Sequence, residues 1–175
     1  MEKSLQSINL LVGLLFVMLI TFIISNNRIN MIKANKVAET ESIESIEKNL
    51  SCLALNIYKE AGTEPFEGKV AVAQVTINRT KHPDFPSTIC EVVYQKNAFM
   101  GKVVCQFSWY CDGAHRLRPV NKQAYDESYR VAKMVLLEDF KLEGLRNAMY
   151  YHADYVNPNW GKKKITKIGA HIFYE

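Results

Sequence analysis

The stretch Ile46-Glu47-Lys48-Asn49-Leu50-Ser51-Cys52-Leu53-Ala54-Leu55-Asn56-Ile57-Tyr58-Lys59-Glu60-Ala61-Gly62 sets a carboxylate among apolar side chains. Ile46, Leu50, Leu53, Ile57 and Glu60 follow one another at spacings of 4, 3, 4 and 3, which is one face of an α-helix. Four members of the stripe are apolar and the fifth is an acid. Gly62 then offers a left-handed stop for the helix. Burial beside an apolar face disfavours the charged carboxylate, and so does the negative end of the helix dipole. Both effects hold Glu60 in its protonated form, as a general acid requires. Periodicity alone leaves a plain alternative, a last-turn glutamate turned into solvent.

Outward from that helix, Thr63-Glu64-Pro65 reads as a turn, and residues 66–80 read as a second helix. Its Val70, Ala71, Val72 and Val75 are apolar at helical spacing, and its β-branched content makes it depend on packing. Pro83 and Pro86 end the helical region, and Thr88 with Glu91 has capping-box spacing for a short helix over 88–94. Residues 95–120 lack helical periodicity, and Gln106-Phe107-Ser108-Trp109-Tyr110 predicts a short strand or an exposed loop. A long scaffold helix is expected over 121–140, with Ala124, Ser128, Val131 and Val135 as one packing stripe. Two strands, 148–152 and 171–174, are expected to flank a loop rich in Pro, Asn and Lys. No internal repeat is visible.

The chain has 175 residues, 48% hydrophobic and 23% charged, enough for one domain with a real core plus an accessory segment. Its net charge of +4 lies entirely after residue 50: residues 1–50 hold five basic and five acidic groups, and residues 51–175 hold seventeen and thirteen. A mild basic excess suits an anionic polymer or surface without choosing among them. Residues 4–27 carry no charge, and 8–24 are almost wholly apolar; seventeen helical residues rise roughly 26 Å, at the short end of a bilayer span. No small-x-small cleavage site follows closely, so residues 1–27 read as an uncleaved transmembrane signal anchor, 28–45 as a polar stalk and 46–175 as the main folded domain. Secretion after cleavage is the alternative. The flanks, Lys3 on one side and Arg28, Lys33 and Lys36 on the other, run against the positive-inside bias for a domain facing out.

Cys52, Cys90, Cys105 and Cys111 permit two disulfides in three connectivities, and Cys105 with Cys111 is the closest pair in sequence. None forms a Cys-x-x-Cys metal pair, and no cofactor motif is present, so neither metal nor cofactor is expected. A nucleic-acid partner is not expected either, because no basic–aromatic recognition motif accompanies the lysines of 162–167.

Several blocks of this sequence resemble the SleB/CwlJ cell-wall hydrolase family. They are Tyr58-Lys59-Glu60-Ala61-Gly62-Thr63-Glu64-Pro65, residues 67–79, Phe85-Pro86-Ser87-Thr88-Ile89-Cys90, Gln106-Phe107-Ser108-Trp109, and Ile168-Gly169-Ala170-His171-Ile172-Phe173-Tyr174. The resemblance implies an α+β fold: a mainly helical, lysozyme-like domain with a small antiparallel sheet and a substrate cleft. It also implies a peptidoglycan partner, cut between N-acetylmuramic acid and N-acetylglucosamine. The first acid of the family's Glu-Ala-Arg-Gly-Glu segment falls on Glu60. This chain departs from that segment with Gly62 and Thr63 where Arg-Gly is usual, and it has Ala170 where Asn is common.

For substrate binding, the aromatic faces of Phe107 and Trp109 suit sugar rings, and the Gln106 amide suits hydroxyl or acetamido groups. Tyr151, His152 and His171 are expected to face the cleft. Protonated Glu60 then donates to the glycosidic oxygen. Hydrolysis needs a second carboxylate, for which Glu64, Glu67, Asp112 and Asp154 are available, whereas closure of the muramic 6-hydroxyl onto C1 needs none. The single-acid route is preferred. A hydrolytic muramidase and a non-catalytic peptidoglycan-binding domain remain as alternatives, and the catalytic domain is expected outside the cytoplasm.

Overall fold

The computed structural model describes the backbone of residues 2–99 and 101–175, with side chains for residue 13, residues 18–98 and residues 101–175. The chain divides into two compact units, Met1–Ser45 and Ile46–Glu175. In the first unit the described residues are helical, within helix α1 (Glu2–Ala61), and the side chains from residue 18 onward are exposed. Among the described residues no helix is long and apolar enough to cross a membrane. Most of the 8–24 window expected to do so has side chains that lie outside the described residues.

The second unit is built on the end of α1. Leu50, Leu53 and Ile57 are buried as the stripe predicts, each at most 2% exposed, while Ile46 is 45% exposed and stands outside the core. Each fully buried aliphatic side chain stabilises by about 1.5–3 kcal/mol. Helix α2 (Phe66–Thr80) packs beside them, with Val70, Val72 and Val75 fully buried. Helix α3 (Ile89–Val93) begins at Thr88, whose hydroxyl accepts from Glu91 N at 3.3 Å and donates to Glu91 Oε2 at 2.8 Å, the expected cap pair. The disulfide Cys52–Cys90 ties α1 to α3.

Within residues 95–120, only the run 106–110 differs from the strand or loop expected of it. Strands β1 (Lys96–Phe99) and β2 (Lys102–Cys105) form an antiparallel hairpin. The aromatic run that follows is helical: α4 (Ser108–Cys111) and α5 (Gly113–Leu117) are single turns, too short to show a 3.6-residue period. Two local devices hold them. Cys105–Cys111 is a disulfide, and the Asp112 carboxylate accepts from Ala114 N and His115 N at 3.0 and 3.3 Å.

Helix α6 (Lys122–Leu137) starts at Asn121, whose side chain accepts from Ala124 N at 3.0 Å. It stops before the predicted residue 140. Asp139 turns left-handed at φ 56° and Phe140 N donates back to Met134 O at 3.0 Å, which frees Phe140 to pack edge-on against Phe66. A three-stranded antiparallel sheet closes the unit in the order β3 (Tyr150–Ala153), β5 (His171–Tyr174), β4 (Lys164–Ile168). β4 corrects the loop expected there. Its Lys-Ile-Thr-Lys-Ile pattern is that of a half-exposed edge strand, which composition alone reads as a solvated loop.

One buried network joins three helices. Asn56 donates from Nδ2 to Thr76 Oγ1 at 3.2 Å and accepts from Trp109 Nε1 at 3.0 Å, while Thr76 donates to Val72 O at 3.0 Å. Asn56→Ala strands the indole N–H in the core, and unsatisfied buried donors cost about 1–3 kcal/mol. Asn56→Ala should therefore lower the urea midpoint, with an unchanged slope, by an amount equivalent to about 1–3 kcal/mol of stability. A midpoint equal to that of the parent would deny the network this role.

Candidate active site

Glu60 sits in the last turn of α1, one helical turn beyond Asn56. The helix stops there without the left-handed glycine expected, since Gly62 is not among the described residues with positive φ. Glycine is needed at 62 for space: a Cβ there would lie 2.5 Å from the Tyr58 carbonyl oxygen. The arginine usual at this position in the resembling family cannot enter without a local shift.

The acid is gripped from one side. Tyr151, on β3, donates its hydroxyl to Glu60 Oε2 at 2.9 Å, which leaves Oε1 to carry a proton. Burial pushes the Glu60 carboxyl above its usual 4.5, against the opposing pull of the Tyr151 hydrogen bond and the Arg79 charge. Burial also pushes the Tyr151 phenol well above its usual 10.0, with the adjacent carboxyl acting the same way, so Tyr151 stays a donor.

Arg79 was not found from the sequence. Val72, Thr76 and Arg79 form a stripe on α2 spaced 4 and 3, all buried, so the periodicity that marks Glu60 also marks this guanidinium. Arg79 Nε donates to Met149 O at 2.8 Å, and its guanidinium lies 5.3 Å from the Phe85 ring centre and 5.2 Å from that of Phe107. With the Gln106 amide oxygen turned toward it, Arg79 also donates from both terminal nitrogens at 3.1 and 3.3 Å. Burial lowers its pKa, yet an arginine so placed remains a cation. A positive charge thus reaches the acid from α2, not from the segment that carries the acid.

The α1–α2 turn also sets the far wall. Glu64 accepts from Ala170 N at 2.9 Å, and Gly169, left-handed at φ 56°, leaves room for that carboxylate, which a Cβ would strike. This contact uses the backbone of Ala170 and so does not depend on the side chain there. It holds the start of β5, where His171 lies edge-on to Tyr151 at 5.2 Å. Burial keeps His171 below its usual 6.5, and its Nδ1 has no hydrogen-bond partner among the described residues.

Glu60 lines two adjoining clefts, of about 450 and 470 Å³, that share Lys59, Glu60 and His115. The first cleft brings together Glu60, Gln106, Phe107, Trp109, Tyr151, His152 and His171, which are distant in sequence. Their exposures differ. Phe107 and Trp109 are 2% exposed and form wall, and Trp109 spends its N–H on Asn56. The open aromatic surface belongs to Tyr155 at 87% and Trp160 at 44%, which sequence reading passed over in a loop without periodicity. Both His152 nitrogens are engaged, Nδ1 with Ala153 O and Nε2 with the Tyr174 hydroxyl, each at 2.8 Å.

Comparison with known proteins places this geometry in context. Residues 63–174 match the family described as Cell Wall Hydrolase, a segment that holds Arg79 and the cleft walls and begins three residues after Glu60. Spore cortex-lytic enzymes from Bacillus subtilis (strain 168) and Oceanobacillus iheyensis are each 31% identical over 134 residues. The match covers 73% of this chain and 37% and 41% of theirs, so the chain spans about two fifths of the length of those relatives. The crystal structure of the catalytic domain of the Bacillus cereus SleB protein superposes with a TM-score of 0.53 at 28% identity, over 74% of this chain and 91% of that one. The catalytic domain of the germination-specific lytic transglycosylase SleB from Bacillus anthracis gives 0.53 at 30% identity, over 73% and 93%. The chain belongs to the Cell Wall Hydrolase family.

Proposed function

We propose that this protein cuts peptidoglycan glycan strands between N-acetylmuramic acid and N-acetylglucosamine, with Glu60 as general acid, by lytic transglycosylation. One observation carries the reading: among the described residues, Glu60 is the sole carboxylate lining either cleft. The other candidates are engaged elsewhere or lie away from the clefts. Glu64 holds Ala170 N, Asp112 caps α5, Asp154 pairs with Lys167 at 2.7 Å, and Glu67 lines neither cleft. A hydrolase needs a second carboxylate to activate water or to serve as nucleophile. A lytic transglycosylase does not. The printed name of the similar Bacillus anthracis protein, a germination-specific lytic transglycosylase, supports the same chemistry.

In this reading Glu60 passes its proton from Oε1 to the glycosidic oxygen as the C1–O bond breaks. Positive charge develops at the muramic C1. The muramic 6-hydroxyl closes onto C1 and returns its proton to the Glu60 carboxylate, so the acid is regenerated and no water is consumed. Tyr151 stabilises the carboxylate between the two transfers, and the Arg79 cation adds to that stabilisation.

Glu60→Gln should lower cleavage of purified sacculi by more than about a hundredfold. An amide does not ionise, and a raised folded-state pKa means that ionised Glu60 costs stability as pH climbs through that value. The variant should therefore melt no lower than the parent at neutral pH. Mass spectrometry of products from the active protein should find anhydro-muropeptides, lighter by one water than hydrolysed ones. Hydrolysed ends alone would replace the transglycosylase reading with a muramidase.

Tyr151→Phe removes a hydrogen bond that lowers the Glu60 pKa. The acid is active when protonated, so the alkaline limb of the rate profile should move to higher pH while kcat falls about tenfold. An alkaline limb that stays in place would separate Tyr151 from the proton inventory.

We propose further that residues 8–24 anchor the chain in the membrane with the catalytic unit outside the cytoplasm. The uncharged window supports this, and the flanking charges oppose it. The full chain should fractionate with membranes, and a chain starting at Ser42 should be soluble and active. Protease added to intact spheroplasts should digest residues 51–175. Protection of that segment until the membrane is broken would invert the anchor.

A further inference from the structure

The first cleft does not end at the sheet face that meets Glu60. In strand β3, Tyr151 pairs with Phe173 of β5 and faces the acid, so Tyr150 and His152, its neighbours, point to the opposite face. Tyr150, Tyr151 and His152 all line the cleft, which therefore wraps round β3, one of the two edge strands of the sheet. At the far side stands Trp160. It is 44% exposed, lines the same cleft, and sits 6.4 Å from Tyr150, 5.4 Å from His152 and 6.0 Å from Tyr174 between ring centres.

The supporting rings are themselves fixed. His152 stacks on Tyr174 at 5.2 Å and is hydrogen-bonded through both nitrogens, and Lys162 Nζ caps the Tyr150 ring at 3.5 Å. All three contacts to Trp160 are edge-to-face, with interplanar angles of 60–83°, so no neighbouring ring lies flat on the indole. A half-exposed indole beside a polar cleft, with no ring stacked flat on it, suits the C–H face of a pyranose, whose partial positive charge complements the ring's negative face. Tyr150 is masked by a lysine and Trp109 is buried. Trp160 is the indole left available.

We propose that Trp160, braced by Tyr150, His152 and Tyr174, is a sugar-stacking subsite that holds the glycan strand round the sheet edge from the scissile bond. The subsite rests on the glycan-strand reading of the cleft. It makes Trp160 a binding residue for strand length and not a participant in bond breaking, and it makes His152 a brace for the indole.

The two tryptophans make the test direct, because Trp109 is buried and Trp160 is exposed. Peptide-free glycan strands, prepared from sacculi by amidase treatment, are titrated into the full chain carrying Glu60→Gln, with binding followed by calorimetry and tryptophan emission. Saturation should shift or quench the emission, and the change should vanish in the Glu60→Gln, Trp160→Phe double variant, which still binds because a phenyl face can stack. Adding Trp160→Ala should weaken binding about tenfold. In the otherwise native chain, Trp160→Ala should raise KM for these strands with kcat unchanged. If strands bind Trp160→Ala as tightly as the parent, or emission is unmoved at saturation, this subsite is refuted while the cleavage reading stands. If strands bind with the emission change but sacculi are never cut by the native chain, the subsite stands and the cleavage reading falls. Strands that bind no variant overturn both.

Discussion

The amide of Asn56 is the constraint on which the rest of this unit depends. It is fully buried, and it joins α1 to α2 through Thr76 and to α4 through the Trp109 indole. A buried amide is tolerable only when its polar atoms are matched, so these helices have one register that satisfies the core and neighbouring registers that do not. Glu60 stands one turn further along the same helix. Fixing Asn56 thereby fixes the position of the acid relative to Arg79, three residues after Thr76 on α2. The geometry round Glu60 inherits its precision from a core hydrogen-bond network.

The site keeps two opposing influences on one carboxylate in balance. Burial favours the protonated acid, while the Tyr151 hydroxyl and the Arg79 cation favour the carboxylate. An acid that only had to stay protonated would need burial alone. An acid that, as proposed, gives up a proton and recovers it needs both forms within reach, and a hydrogen bond on Oε2 and a cation on α2 suit that part. Alternation along the edge strand β3 sends Tyr151 to the acid and sends Tyr150 and His152 to the Trp160 indole.

How far the sequence reads correctly follows from which interactions are local. Helix α2, the Thr88 cap and the buried stripe Leu50, Leu53, Ile57 were legible because each expresses a short-range period or a spacing of three. So was the acid, since a carboxylate on an apolar face is a local contradiction. Helices α4 and α5 were not, because four- and five-residue helices carry no period and are held by a disulfide and an Asp cap. Strand β4 was missed because its lysines are those of a sheet edge, and only pairing with β5 distinguishes such a strand from a loop.

The sequence by itself therefore determined that Glu60 lies on the buried side of a helix, and it offered Gln106, Phe107, Trp109, Tyr151, His152 and His171 as companions without grading them. Only the tertiary structure decided their parts. Burial turns Trp109 into a wall, hydrogen bonds on both nitrogens turn His152 into a support, and Tyr151 becomes the group that grips the acid. Packing of α2 on α1 brings in Arg79, and exposure singles out Trp160. The physical reason is range. Periodicity records which side of an element is buried, whereas a hydrogen bond across 91 residues or a half-exposed indole at a cleft wall exists only once distant elements have met.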